Sequence, residues 1–121
     1  MSCRPVPSGR TVPRVTVLHL ALATDWAAAQ ERGSYDVSTR GHTVAEVGFL
    51  HASEDLAQVR SVAERYYGDV TEPLVVLTID EALLGVPVVR EVPPGEAAAY
   101  PHVLGAVPVE AVVRVDPWPP G

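Results

Sequence analysis

Lysine is absent from this 121-residue chain. All nine basic side chains are arginine, and fifteen acidic residues bring the formal net charge to −6. No basic run exists, which argues against an extended nucleic-acid footprint; a pocket for one nucleotide needs only a few local donors and stays open. Cysteine is nearly absent. Cys3 is the single one, so no internal disulfide and no cysteine metal cluster can form. No apolar run is long enough to span a bilayer, and the opening MSCRPVPSGRTVP lacks the apolar stretch of a signal peptide. A soluble cytoplasmic protein with no membrane partner is expected.

What the chain does have is enough apolar matter for a core. Its hydrophobic fraction is 47%, ordinary for a globular protein and too high for disorder. By length it is one domain. Residues 1–13 read as a flexible tail, 14–118 as the domain and 119–121 as a short tail closed off by prolines.

The element order follows from periodicity and breakers. VTVLHLA, from Val15 to Ala21, is short and β-branched and predicts a strand. Thr24 is the expected N-cap of a helix from Trp26 to Arg32, with Gly33 at its C′ position. Residues 34–46 are polar and irregular and are expected as a loop. GFLHA predicts a second strand. Leu56, Val59, Ala63 and Tyr67 then fall at helical spacing. LVVLTID, VPVVREV and EAVVRVDPW supply later strands, residues 95–101 are expected as a loop or single turn, and HVLGAVP as a short strand or turn. Two helices in the first half and strands thereafter form an α+β pattern, not regular βαβ alternation.

The candidate chemistry is carried by histidine, the side chain that titrates near neutrality. Alternation places His19 with Val15 and Val17 on one strand face, and His51 with Phe49 and Ser53 on another. Each is either a half-buried core histidine or part of a site. The matching positions of the two near the ends of their strands, with His102 in YPHVLG, favour a shared pocket. His42 lies in the polar segment and reads as solvated. Glu91, among valines and ahead of PPG, is either a rim residue or a carboxylate aimed into a cleft. Ser53 reads first as a helix N-cap before Glu54 and Asp55, and second as a ligand contact. Arg60 and Arg65 could meet an anionic ligand, yet helix geometry turns Arg65 away from the apolar stripe. No H-x-x-x-H spacing occurs, and no metal is expected.

Taken in order, HLALATDWAAAQERGSY, GFLHASE, ERYYG, LVVLTID, VREV and YPHVLGAVPVEAVVRV resemble the small bacterial proteins grouped as domain of unknown function 952. The resemblance covers about residues 15–116, and G-F-[IL]-H-x-S and P-H-[IV]-x-G are its most specific parts. It implies a split, mostly antiparallel β-sheet similar to that of ADP-ribosyltransferases and RNA 2′-phosphotransferases, which bind nicotinamide dinucleotide (NAD) in a cleft. It implies that His19, His51, Ser53, Glu91 and His102 occupy the family's polar positions. This sequence departs from the pattern at Leu18 and Leu104, where tyrosines are usual, at Glu64-Arg65, where N-R is usual, and at Ala52, where cysteine is usual. If Leu18 and Leu104 line the cleft, the pocket is more apolar than is typical.

Two functions of different class follow. The first is an enzyme whose cleft, lined by His19, His51, Glu91 and His102 with Ser53, Phe49, Leu18, Leu104, Arg60 and Arg65 around them, performs acid–base chemistry on a small molecule, as in a specialised biosynthetic pathway. The second is a non-catalytic binder of a ligand in the same cleft. NAD enters only by fold analogy, which is weak warrant for function, and no cofactor is otherwise expected. Oligomeric state is left open.

Overall fold

The computed structural model describes residues 15–120. The expected tail 1–13 and Cys3 lie outside the described residues. In chain order the elements are β1 (Thr16–Leu22), α1 (Ala23–Arg32), β2 (Ser34–Tyr35), β3 (Val37–Thr39), β4 (His42–Thr43), α2 (Val44–Val47), β5 (Leu50–His51), α3 (Leu56–Tyr66), β6 (Leu74–Asp80), β7 (Val88–Glu91), β8 (Tyr100–Val103), β9 (Val107–Pro108) and β10 (Val112–Trp118).

Two three-stranded antiparallel sheets form the frame, in the orders β1-β6-β10 and β5-β8-β7. They meet at a bridge between Leu18 and Ser53. There Leu18 N–H donates to the Ser53 carbonyl at 2.8 Å, and Ser53 N–H returns a bond to Leu18 at 2.7 Å. Two-stranded ladders, β2 with β9 and β3 with β4, flank this frame. The class is α+β with antiparallel sheets and few helices, as the sequence predicts.

The first sheet is covered on both faces, which explains why LVVLTID reads as a continuous apolar run. Alternation sends Val17, Ala21, Leu77 and Ile79 to one face, where they pack with Tyr35, Leu50 and Val103. It sends Leu20 and Val76 to the other, against Val59, Val62 and Tyr67 from α3 and its end. Leu77 and Ile79 are fully buried, each contributing about 1.5–3 kcal/mol by removal from water.

Several boundaries differ from expectation. Helix α1 starts earlier, with Leu22 at the N-cap and no side-chain cap, so Thr24 lies inside it. Gly33 closes it at φ 91°, the left-handed conformation expected of a C′ glycine. The segment expected as a loop contains three short strands and a helix. The signal for α2 was present: Thr43 and Glu46 form a reciprocal capping box. Ser53 does not cap α3. Its backbone is spent on the bridge to Leu18, and Asp55 is the N-cap, accepting from Gln58 N–H at 2.9 Å. On α3 the buried stripe is Val59 and Val62, continued by Tyr67, while Leu56 is exposed.

Candidate functional site

The second sheet builds one wall of a cleft of about 470 Å³. His51 on β5 and His102 on β8 are direct cross-strand partners, so both side chains leave the sheet on one face. Their ring centroids are 5.8 Å apart. Period-two alternation adds Tyr100, two residues before His102, and Phe49, two before His51. Glu91 lies across from Tyr100 on β7. All five line the cleft. Helix α3 supplies the facing side through Ser61, Arg65 and Tyr66, and the Val92–Pro93–Pro94 turn with Glu96 closes one end.

Each histidine is held differently. His102 is buried, and its Nδ1–H donates to the Glu91 carboxylate at 2.7 Å. This bond assigns Nδ1 the proton of the neutral ring and leaves Nε2 with a lone pair. Phe49 stacks on the same ring, centroids 3.9 Å apart and planes 11° from parallel. His51 stacks on Tyr100 at 5.1 Å, and its backbone N–H is fixed by the Ser38 hydroxyl at 3.1 Å. Burial, helped by the nearby charges of His102 and Arg65, holds the His51 pKa down at about 4. At neutral pH His51 is therefore an uncharged imidazole and a proton acceptor.

His19 is not in the cleft. It lies 2% exposed beneath β5, where its Nδ1–H donates to the His51 carbonyl at 2.6 Å. Its Nε2 accepts from the Tyr35 hydroxyl at 3.2 Å. Burial lowers its pKa to about 4 as well. The expected meeting of His19 and His51 in one pocket gives way to a stacked order, one histidine in the core and one in the cleft above it.

The outer positions also sort themselves. Arg65 lines the cleft, against the expectation from ideal helix geometry, and is ion-paired with Glu96. Arg60 lies outside the cleft, over the Trp118 ring at 5.6 Å. Leu18 lines a separate groove on the far side of the first sheet. Leu104 is exposed, away from the cleft, so neither leucine makes the cleft more apolar, against the expectation. Ser53 is buried at the bridge between the sheets and is not among the lining residues. Glu54 is drawn to Arg90 at 2.8 Å, and neither it nor Asp55 lines the cleft. Sequence reasoning passed over Tyr66 and Tyr100. The two-residue spacing from Tyr100 to His102 was the available signal for the second.

Among the described residues no three His, Cys, Asp or Glu side chains gather into a metal-binding group, and no helix is long and apolar enough to cross a membrane. The charged side chains of the cleft are Arg65, Glu91 and Glu96, besides the histidines. With Arg65 neutralised by Glu96, the remaining fixed charge is the Glu91 carboxylate, 60% exposed.

A protein-family model described as "Protein of unknown function (DUF952)" matches residues 20–115. No curated protein matches the sequence. Among solved structures, protein CC0527 from Caulobacter crescentus, a Northeast Structural Genomics Consortium target, is similar with a TM-score of 0.67, 23% identity and 84% of each chain covered. A double mutant of that protein gives a TM-score of 0.67, 22% identity and the same coverage. At this identity the likeness is one of fold.

Proposed function

The chain belongs to the DUF952 family, and we propose that its cleft binds a small, flat, largely uncharged molecule and moves a proton on it. The observation that carries the proposal is the pairing of two differently held imidazoles, His51 without a carboxylate and His102 on Glu91, as cross-strand neighbours in one cleft. His51, neutral at pH 7, accepts the proton. His102, its ring oriented by the Nδ1–H bond to Glu91, keeps its Nε2 lone pair to accept a hydrogen bond from a ligand N–H or O–H. Phe49, Tyr66 and Tyr100 supply flat apolar surface for the ligand.

The charge balance gives the ligand class. A polyphosphate would need Arg65 to leave Glu96 and would still face the Glu91 carboxylate. The fold relationship to ADP-ribosyltransferases implied by the sequence resemblance is part of this reading, yet weak NAD binding is the expected outcome.

A fragment library titrated against ¹³C-labelled histidine signals tests the proposal. Neutral aromatic or heteroaromatic fragments should shift His51 and His102 together and lose binding in His51→Ala. Hits that leave both rings untouched would remove the cleft from consideration. NAD bound in the low micromolar range, and lost on His51→Ala, would overturn the ligand class and favour the nucleotide reading.

A further inference from the structure

We propose that this chain self-associates through the open edge of β10, forming a continuous six-stranded sheet across a two-fold axis at Val115. This inference is independent of the cleft.

Among the described residues, the first sheet ends at β10, which pairs with β6 on one side only. Edge strands of this kind present a row of backbone donors and acceptors that can pair with another chain; on β10 the bulge at Val113 and Pro117 confine the pairable stretch to the middle of the strand. Seven residues long, β10 is as long as any strand described. Its middle is exposed: Val113 by 42% and Val115 by 41%. Both are apolar and β-branched, a composition suited to a paired strand.

Pro117 fixes which backbone groups face outward. It has no N–H, so in a strand paired on one side its nitrogen takes the outer side. From Arg114 to Trp118, beyond the β-bulge between Val112 and Arg114, outward and inward groups alternate residue by residue. The N–H and C=O of Val115 therefore point away from β6, and those of Arg114 and Asp116 point toward it. An antiparallel partner centred on Val115 meets a hydrogen-bonded pair at its centre, Val115 against Val115 of the second copy. Val113 lies at the β-bulge between Val112 and Arg114, so the regular pairing across the axis runs from Arg114 to Asp116 of each copy.

The same register is self-complementary in charge. It sets Arg114 opposite Asp116 of the second copy, twice. Arg114 and Asp116 share one face of the sheet and already pair within the chain at 2.8 Å. Their side chains are 71% and 42% exposed, so both are free to reach across. Directly opposed unlike charges stabilise strand pairing, and like charges oppose it. A register shifted by two residues loses this match.

The interface is narrow, and weak association, with a dissociation constant on the order of micromolar or above, is what such a contact supports. Sedimentation velocity of the full chain from low to high micromolar concentration reads it. The wild-type chain should pass from monomer to dimer across this range. Arg114→Asp and Asp116→Arg, each alone, set like charges opposite one another and should weaken the dimer about tenfold or more. Mixing these two variants in equal amounts restores the opposed unlike pairs and should recover dimer as a heterodimer. Val115→Pro should abolish association. Circular dichroism melts check that each variant folds; the charge changes lie at solvent-facing positions and leave the core intact. A wild-type chain that stays monomeric throughout, whatever covers the edge, overturns the proposal. So does a dimer that neither single charge variant weakens, or a mixture that fails to recover it.

Discussion

The Nδ1–H of His19 donates to the backbone carbonyl of His51 at 2.6 Å. A histidine that never reaches the cleft thus holds the strand carrying one that does. The Tyr35 hydroxyl completes the arrangement on the far nitrogen of His19 at 3.2 Å, leaving no lone polar atom on that ring. Position of the cleft imidazole is set from below, through backbone, rather than by a partner on its own ring.

His19→Ala should be expensive. It opens a cavity and strands the His51 carbonyl and the Tyr35 hydroxyl in the interior, a cost of about 2–4 kcal/mol. Tyr35→Phe removes a single hydroxyl and should cost about 1 kcal/mol. Urea unfolding of the two variants decides the matter; equal losses would mean that the His19 ring contributes no more than its bond to Tyr35.

Stability should fall with acid earlier than carboxylate titration alone would produce. His19 and His51 both titrate near pH 4 in the folded protein, below the ordinary value of 6.5. Between these values the unfolded chain binds more protons than the folded one, so stability is fully present above about pH 6.5 and is lost as pH drops toward 4. For buried His19 the loss between pH 6.5 and 5 is about 1–2 kcal/mol, with less from part-exposed His51. Urea midpoints at pH 7.5, 6 and 5 should decline for the wild type and decline less for His51→Asn. A flat wild-type profile over this range would contradict the assignment of two neutral imidazoles, one buried and one part-exposed.

Glu91→Gln should leave the fold nearly unchanged, within about 0.5 kcal/mol, because its side chain is largely solvated. Its effect should appear on His102. Nitrogen-15 shifts of the imidazole report the tautomer, and the fraction carrying the proton on Nδ1 should fall without the carboxylate. An unaltered tautomer would show that stacking on Phe49, and not Glu91, orients the ring.

Asp55→Ala should cost about 1 kcal/mol through loss of the α3 cap, and Ser53→Ala should cost less, since Ser53 joins the sheets through backbone atoms. Thermal melts of the pair check the order. A greater loss for Ser53→Ala would give its hydroxyl a structural role beyond the bridge.

Sequence legibility divided along physical lines. LVVLTID matched β6 residue for residue because a strand covered on both faces writes its whole length in apolar residues. The α3 register was nearly right, but Leu56 shows that apolar spacing alone does not tell a helix where its neighbours stop. The stretch after Gly33 failed as a reading because two- and three-residue strands are too short to carry a period; only the Thr43–Glu46 capping box was readable there. For the cleft, alternation placed Phe49 and His51 on one strand face, and it left Glu91 open between rim and cleft; in the structure Glu91 lines the cleft with its side chain largely exposed. Alternation could not tell His19 from His51. Each lies on a strand face beside apolar residues, and which face meets solvent is decided by the pairing of distant segments. Arg65 was misplaced for a related reason: a long side chain bends toward Glu96, a partner supplied by a turn thirty-one residues later.

The bridge at Leu18 has an evolutionary consequence. Its two hydrogen bonds come from backbone, so the join between the sheets is indifferent to the side chain carried at that position. The Leu18 side chain meanwhile faces the groove on the opposite side of the sheet. A change of side chain at Leu18 is therefore free to reshape the far groove without touching the histidines one residue and one strand away, and the two surfaces can change independently.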